Sequence, residues 1–236
     1  MCAIFLLLIP IVLINNFNQQ LDLPQKRRLL SYLSIGIYNL KTAFCQSSFQ
    51  NRRLFTAFLA FALGTESILV AMPLVAVAKF EATPKELSLL FAVGGLASLI
   101  SSSWINHKLS NRYNSTKIVY ACSMLLLLAY LLFLPSFSFV YLFLPWIIMT
   151  INCLLVWAHS NAIISSRYGA EEQGAIMGIT QSLVSLAIFI GPLLVGLLAH
   201  IDVRISFLVS IIAGTVALWL FCISSAENGI KKCSGI

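Results

Sequence analysis

Long apolar runs separated by short polar breaks dominate this chain. Six of them, 54–78, 87–105, 118–134, 139–158, 174–198 and 205–224, are long enough to cross a bilayer core about 30 Å thick, which takes roughly 20 apolar residues as a helix. Only the first contains a formal charge, Glu66. None alternates lipid-facing and lumen-facing residues, and all exceed the roughly ten residues of a membrane strand, so a barrel is disfavoured. The pattern predicts an all-α integral membrane protein, a six-helix transmembrane bundle. An opening apolar segment, 1–14, covers only about 21 Å as a helix at about 1.5 Å per residue. It lacks the basic start and small-residue cleavage site of a signal peptide, and is expected to be the end of a helix whose start is missing. The organisation expected is therefore that stub, a basic linker over 15–53, the bundle over 54–226 and a tail over 227–236.

Composition agrees with this class: of 236 residues, 59% are hydrophobic and 10% charged, against about 25% charged in soluble domains, and the mean hydropathy is +0.93. The net charge of +7 would suggest a nucleic acid or another anionic partner if it were not so unevenly placed. The linker carries Lys26, Arg27, Arg28, Lys41, Arg52 and Arg53 against one acid, Asp22. Alternate breaks are basic too, with Lys108, Arg112 and Lys117, then Arg167, then Lys231 and Lys232. The remaining basic residues, Lys79, Lys85 and Arg204, each have an acid close by (Glu81, Glu86, Asp202). By the positive-inside rule the linker, the alternate loops and the C-terminus face the cytoplasm of a plasma or bacterial inner membrane. The excess charge then describes topology, and no nucleic-acid partner is expected. Within the linker, Leu29, Leu30, Tyr32, Leu33, Ile35, Ile37, Tyr38 and Leu40 stand among basic residues, either as an interfacial amphipathic helix or as a basic tether on anionic headgroups.

The six cysteines (Cys2, Cys45, Cys122, Cys153, Cys222, Cys233) form no Cys-x-x-Cys pair and mostly lie in apolar runs, so they read as small buried hydrophobes. The histidines His107, His159 and His200 fall at three different helix ends and offer no metal-ligand spacing. Glycine-rich phosphate loops are missing. No metal and no cofactor is expected, and any transport would draw on a gradient.

Glu66 is the most informative position, at the centre of the first span. A carboxylate there costs about 2.5–3.5 kcal/mol on insertion scales. Facing a water-filled cavity it would bind a cation or take up a proton; otherwise it is a protonated group that holds neighbouring helices together. On the same helix Gly64, Ser67 and Ala71 form a small-residue face and Pro73 permits a bend. Trp146, Thr150, Cys153 and Trp157 share a helical face that would suit an apolar or cationic solute, although interfacial anchoring accounts for the two tryptophans equally well. Gly174, Gly178, Ser182 and Ser185 form a second small-residue stripe suited to close helix packing, bordered by Gln181, whose amide needs partners in a membrane. Gly191, Pro192 and Gly196 make a kink-prone patch further along.

These features resemble the C-terminal half of a major facilitator superfamily transporter, in particular its drug-exporter-like members. The likeness rests on the basic linker, six helices with both ends inside, Glu171-Glu172-Gln173-Gly174-x3-Gly178 opening a helix, and Gly191-Pro192-Leu193-Leu194-x-Gly196 near its end. It extends from about Ser31 to Ala226. The family's loop motif, Gly-x-Leu-x-Asp-Arg-x-Gly-Arg-Lys/Arg, corresponds here to the run from His107 to Thr116. Leu109 and Arg112 match, while His107 and Asn114 replace the glycines, Asn111 replaces the aspartate, and Ser115-Thr116 replace the basic pair. The resemblance implies a latch at Arg112 that has lost its acid at Asn111. It also implies two six-helix halves around a midplane site, alternating by rocking.

The expected function is gradient-driven transport of a small solute. Glu66 is the candidate proton or cation site, with Gln181, Trp146 and Thr150 as cavity-wall candidates. The partners expected are the lipid bilayer, a small-molecule substrate, and either a second copy or an N-terminal half. The competing expectation is a half-bundle that does not transport, a remnant or a structural or regulatory subunit. A membrane enzyme ranks last, since no nucleophile and base can be paired.

Overall fold

The computed structural model describes residues 49–233 apart from Ser136 and Ala170, with side chains described over 51–223. The stub 1–14, the linker before residue 49 with its interfacial-helix reading, and residues 234–236 lie outside the described residues. Among the described residues six helices are long and apolar enough to cross a membrane, and no strand occurs. They are α1 (Phe49–Phe80), α2 (Pro84–Ser110), α3 (Ser115–Phe133), α4 (Phe143–Ser165), α5 (Gln173–Ala199) and α6 (Ser206–Cys233). Most run past the apolar stretches that predict them: α4 continues to Ser165 and α6 to Cys233. Backbone hydrogen bonding propagates cooperatively once a helix is nucleated, whereas hydropathy marks only the part in hydrocarbon.

The connections are set by local chemistry. At the end of α1 the Ala82 N–H donates to Ala76 O (3.2 Å) and the Glu81 N–H to Val77 O (3.1 Å), the latter the five-to-one bond of an αL helix stop. Glu81 occupies its left-handed position, φ 52°, where glycine is the usual residue. Immediately beyond, Thr83 and Glu86 form a capping box: Glu86 N–H donates to Thr83 Oγ1 (3.3 Å) and Thr83 N–H to Glu86 Oε2 (2.7 Å), with Pro84 in the first turn of α2. Together they turn the chain sharply back toward the membrane.

α1 is the hub. It packs most extensively on α6 and α5, while α3 packs on α4 and α6, and α2 packs chiefly on α4. Burial follows: 56% of the apolar window of α1 is buried in the bundle, against 22% for α2. Phe55, Phe58, Phe61, Ile68 and Met72 fill the inner face of α1, and Phe133 of α3 stacks on Phe207 of α6 at 5.4 Å. Leu96, Leu99, Phe189, Leu197, Ile212 and Trp219 are exposed, as suits helices solvated by lipid chains. A π-helical turn, Ser101–Ile105, interrupts α2. There Ser101 Oγ donates to Ile151 O of α4 (2.8 Å) while Ser103 Oγ donates back to Leu99 O (2.6 Å), so the turn's extra width is filled by hydroxyl bonds.

Candidate functional site

The middle of α1 carries three consecutive polar side chains, Thr65, Glu66 and Ser67, and the helix turns them toward different neighbours. Thr65 is buried and faces α3 and α4. Its Oγ1 donates to Phe61 O (3.0 Å), leaving its lone pairs to accept from Tyr130 Oη (3.1 Å) and Cys153 Sγ (4.0 Å). Tyr130 is fully buried, so its phenol needs this partner. Two glycines admit its ring. A Cβ on Gly214 of α6 would come 3.0 Å from Tyr130 Cδ2, and one on Gly64 of α1 would come 3.4 Å from Cε2 and 3.3 Å from Ser210 O. α1, α3 and α6 therefore meet where glycine lets an aromatic ring lie directly on backbone.

Ser67 faces the other way, toward α5. It is fully buried and its Oγ has no hydrogen-bond partner among the described residues, an arrangement that costs about 1–3 kcal/mol. Opposite it stands Gly191, where a Cβ would fall 3.1 Å from Ser67 Oγ, 3.2 Å from Ser67 N and 3.4 Å from Glu66 Cβ. The following residue, Pro192, lies inside α5 and has no N–H to give to Ile188 O, one turn back. Glu66 lies between these two contacts, half-buried. Its carboxylate makes no hydrogen bond or ion pair to a described residue. The midplane acid is thus flanked by a satisfied hydroxyl on one side and an unsatisfied hydroxyl on the other.

The remaining sequence candidates do not converge on Glu66. Trp146 is 2% exposed, its ring edge-to-face with Phe91 at 5.2 Å. A Cβ on Gly94 of α2 would collide with its Nε1. The indole is thus a knob between α2 and α4, enclosed by packing among the described residues. Thr150 spends its hydroxyl on its own helix, donating to Trp146 O (3.0 Å) and Ile147 O (3.1 Å). Gln181 is exposed on α5. Gly174, Gly178 and Gly196 make no close helix contact among the described residues, since a Cβ on any of them would meet nothing within 4 Å. Of the glycines singled out on α5, Gly191 alone makes the close approach. Asn111 and Arg112 are exposed at the end of α2, and Asn111 Nδ2 lies 3.3 Å from His107 Nε2 on the same turn.

Sequence reading missed Thr65, Tyr130 and Ser67 as a set. The available signal was a tyrosine in the middle of an apolar helix, whose hydroxyl must be matched somewhere. It also missed a polar clasp at the basic end of the bundle. Asn51 Nδ2 donates to Tyr168 Oη (2.9 Å), and Arg167 Nη1 donates to Asn51 Oδ1 (3.1 Å). Burial pushes the Tyr168 phenol above its ordinary range, opposed by the Asn51 hydrogen bond and the Arg167 charge. The clasp ties the start of α1 to the segment after α4.

Six long apolar helices with exposed apolar side chains define a multi-pass membrane protein. Residues 54–232 match the Major Facilitator Superfamily, and the chain belongs to that family. Its members are transporters, so the six helices constitute a half-domain of a secondary transporter of solutes. No curated protein matches the chain.

Proposed function

We propose that this chain moves a small solute by gradient-driven alternating access, with Glu66 as the proton or cation site that couples the gradient to transport. The observation that carries this reading is an isolated, half-buried carboxylate at the centre of the most deeply packed helix, with no partner among the described residues. A charge in that position is costly unless water, a proton or a cation reaches it. α1 is held against α3 and α6 by the Tyr130 and Gly214 contacts, so Glu66 sits on a rigid element. The second wall of the path would come from an N-terminal half or a second copy of this chain. On the positive-inside rule the basic clasp end and the C-terminus are cytoplasmic, in a plasma or inner membrane. No enzymatic step and no nucleic-acid contact belongs to this reading.

The test is uptake of a panel of labelled solutes into proteoliposomes holding the full chain, driven by an imposed proton or Na+ gradient. Wild type is expected to respond to at least one compound of a solute panel, and Glu66→Gln to abolish coupling while leaving the protein folded. Unchanged gradient-dependent flux in Glu66→Gln would remove the assignment. The competing reading, a bundle with a structural or regulatory part, draws on Asn111, which stands where the family's loop has its acid and lies beside His107 of its own turn. A flat trace with every compound would favour it.

A further inference from the structure

We infer that the coupling ion is Na+, held between α1 and α5 by the Glu66 carboxylate, the Ser67 hydroxyl and the Ile188 carbonyl. This rests on the reading of Glu66 as a proton or cation site and assigns its ligand set and ion. Three separate features coincide at one helix crossing. The first is Ser67 Oγ, which is fully buried and unpartnered. Ser98, Ser182 and Ser185 donate to a carbonyl one turn back, whereas Ser67, like the buried Ser123, Ser160 and Ser210, does not; of these four, Ser67 is the one adjacent to Glu66. The second is the carbonyl of Ile188, deprived of its regular donor by Pro192. In an α-helix a carbonyl points along the axis toward residues three and four ahead, which puts this oxygen at the level of Gly191, the residue facing Ser67. The third is Glu66, whose Cβ lies 3.4 Å from the point a Gly191 Cβ would occupy and whose carboxylate makes no competing bond to a described residue.

The chemistry selects the ion. Carboxylate, hydroxyl and carbonyl oxygens are hard ligands suited to hard cations, and a carbonyl without its helical donor keeps its lone pairs for such an ion. Glu66 is the one acid in the six apolar stretches, so a monovalent cation leaves the site neutral while a divalent one would leave a net charge at the midplane. Glu66 is half-buried, so water can complete the coordination from its open side. Gly191 keeps the crossing clear, since any side chain there would intrude between Ser67 and α5.

The experiment is equilibrium binding of radioactive Na+ to the purified full chain in nanodiscs, against choline and Li+ as competitors at fixed pH. Wild type is expected to bind Na+ saturably, with Li+ competing and choline not. Ser67→Ala and Glu66→Gln are each expected to weaken binding at least tenfold. Ser67→Cys keeps a single γ atom but replaces a hard oxygen with a larger, soft sulfur, and is expected to lose Na+ equally while still folding, as thermal unfolding would show. Should Ser67→Ala not fold, Ser67→Cys and Na+-dependent thermal stabilisation of wild type carry the test. No Na+ binding above the choline background, or undiminished binding in the Ser67 variants, would overturn the inference. Proton-coupled flux that ignores Na+ would overturn it and keep the transporter reading, whereas Na+ binding without any flux would keep the site and remove that reading.

Discussion

Two stripes of small residues look alike in this chain and behave oppositely. On α1, Gly64, Ser67 and Ala71 are buried, and Gly64 and Ser67 lie against the backbones of α6 and α5. On α5, Gly174, Gly178 and Ser185 are exposed, and neither glycine has a neighbour within 4 Å of a Cβ position. Small residues permit close approach between membrane helices, but permission is not contact. The close backbone approach of α5 to α1 falls at Gly191, beyond the stripe and beside a proline. The comparison shows that helix crossing points, set by the whole bundle, decide which glycines are used.

Substitutions can break this contrast, the most severe first. Gly191→Ala should destabilise the bundle by about 1–3 kcal/mol, the usual cost of overpacking, because its Cβ would meet the Ser67 backbone at 3.2 Å. Thermal unfolding in detergent, followed by circular dichroism, would show it; an unchanged midpoint would mean that α1 and α5 are not in this contact. Tyr130→Phe should cost about 1 kcal/mol by removing the hydrogen bond to Thr65. Because the ring stays in its glycine bed, the same assay on Tyr130→Phe separates the polar part of the seam from its packing.

Glu81→Gly belongs to neither stripe and calibrates both. It should raise stability by about 1 kcal/mol, since φ 52° is strained for a residue with a Cβ, and a loss would show that the Glu81 side chain makes a stabilising contact. Gly178→Ala should change stability by about 0.5 kcal/mol or less. A loss as large as that of Gly191→Ala would show that the stripe is covered in the assembled protein, and a crosslinking scan along α5 would then find the partner surface.

Much of the fold was legible because hydrocarbon solvation imposes one rule, that every backbone polar group be bonded within its own helix. Six apolar runs therefore became six helices. Glu66 was legible for the same reason, as a charge where charge is costly. Its surroundings were not. Trp146 and Thr150 read as a helical face beside a cavity, yet α2 closes over the indole at Gly94 and the Thr150 hydroxyl turns back on its own helix. Ser67 and Gly191 stand 124 positions apart, and no periodicity within either helix links them.

The sequence by itself determined that the chain crosses a membrane as helices, where those helices run, and that one carboxylate stands alone at the midplane. Those properties depend on the hydropathy of each segment, which needs no neighbour to act. Only the tertiary structure decided which face of each helix is covered. That choice left Thr65 hydrogen-bonded to Tyr130, Ser67 buried without a partner opposite Gly191, and the α5 stripe exposed. The physical reason is that all these helices are apolar on every side, so hydropathy does not rank their faces, and close packing between specific backbones does.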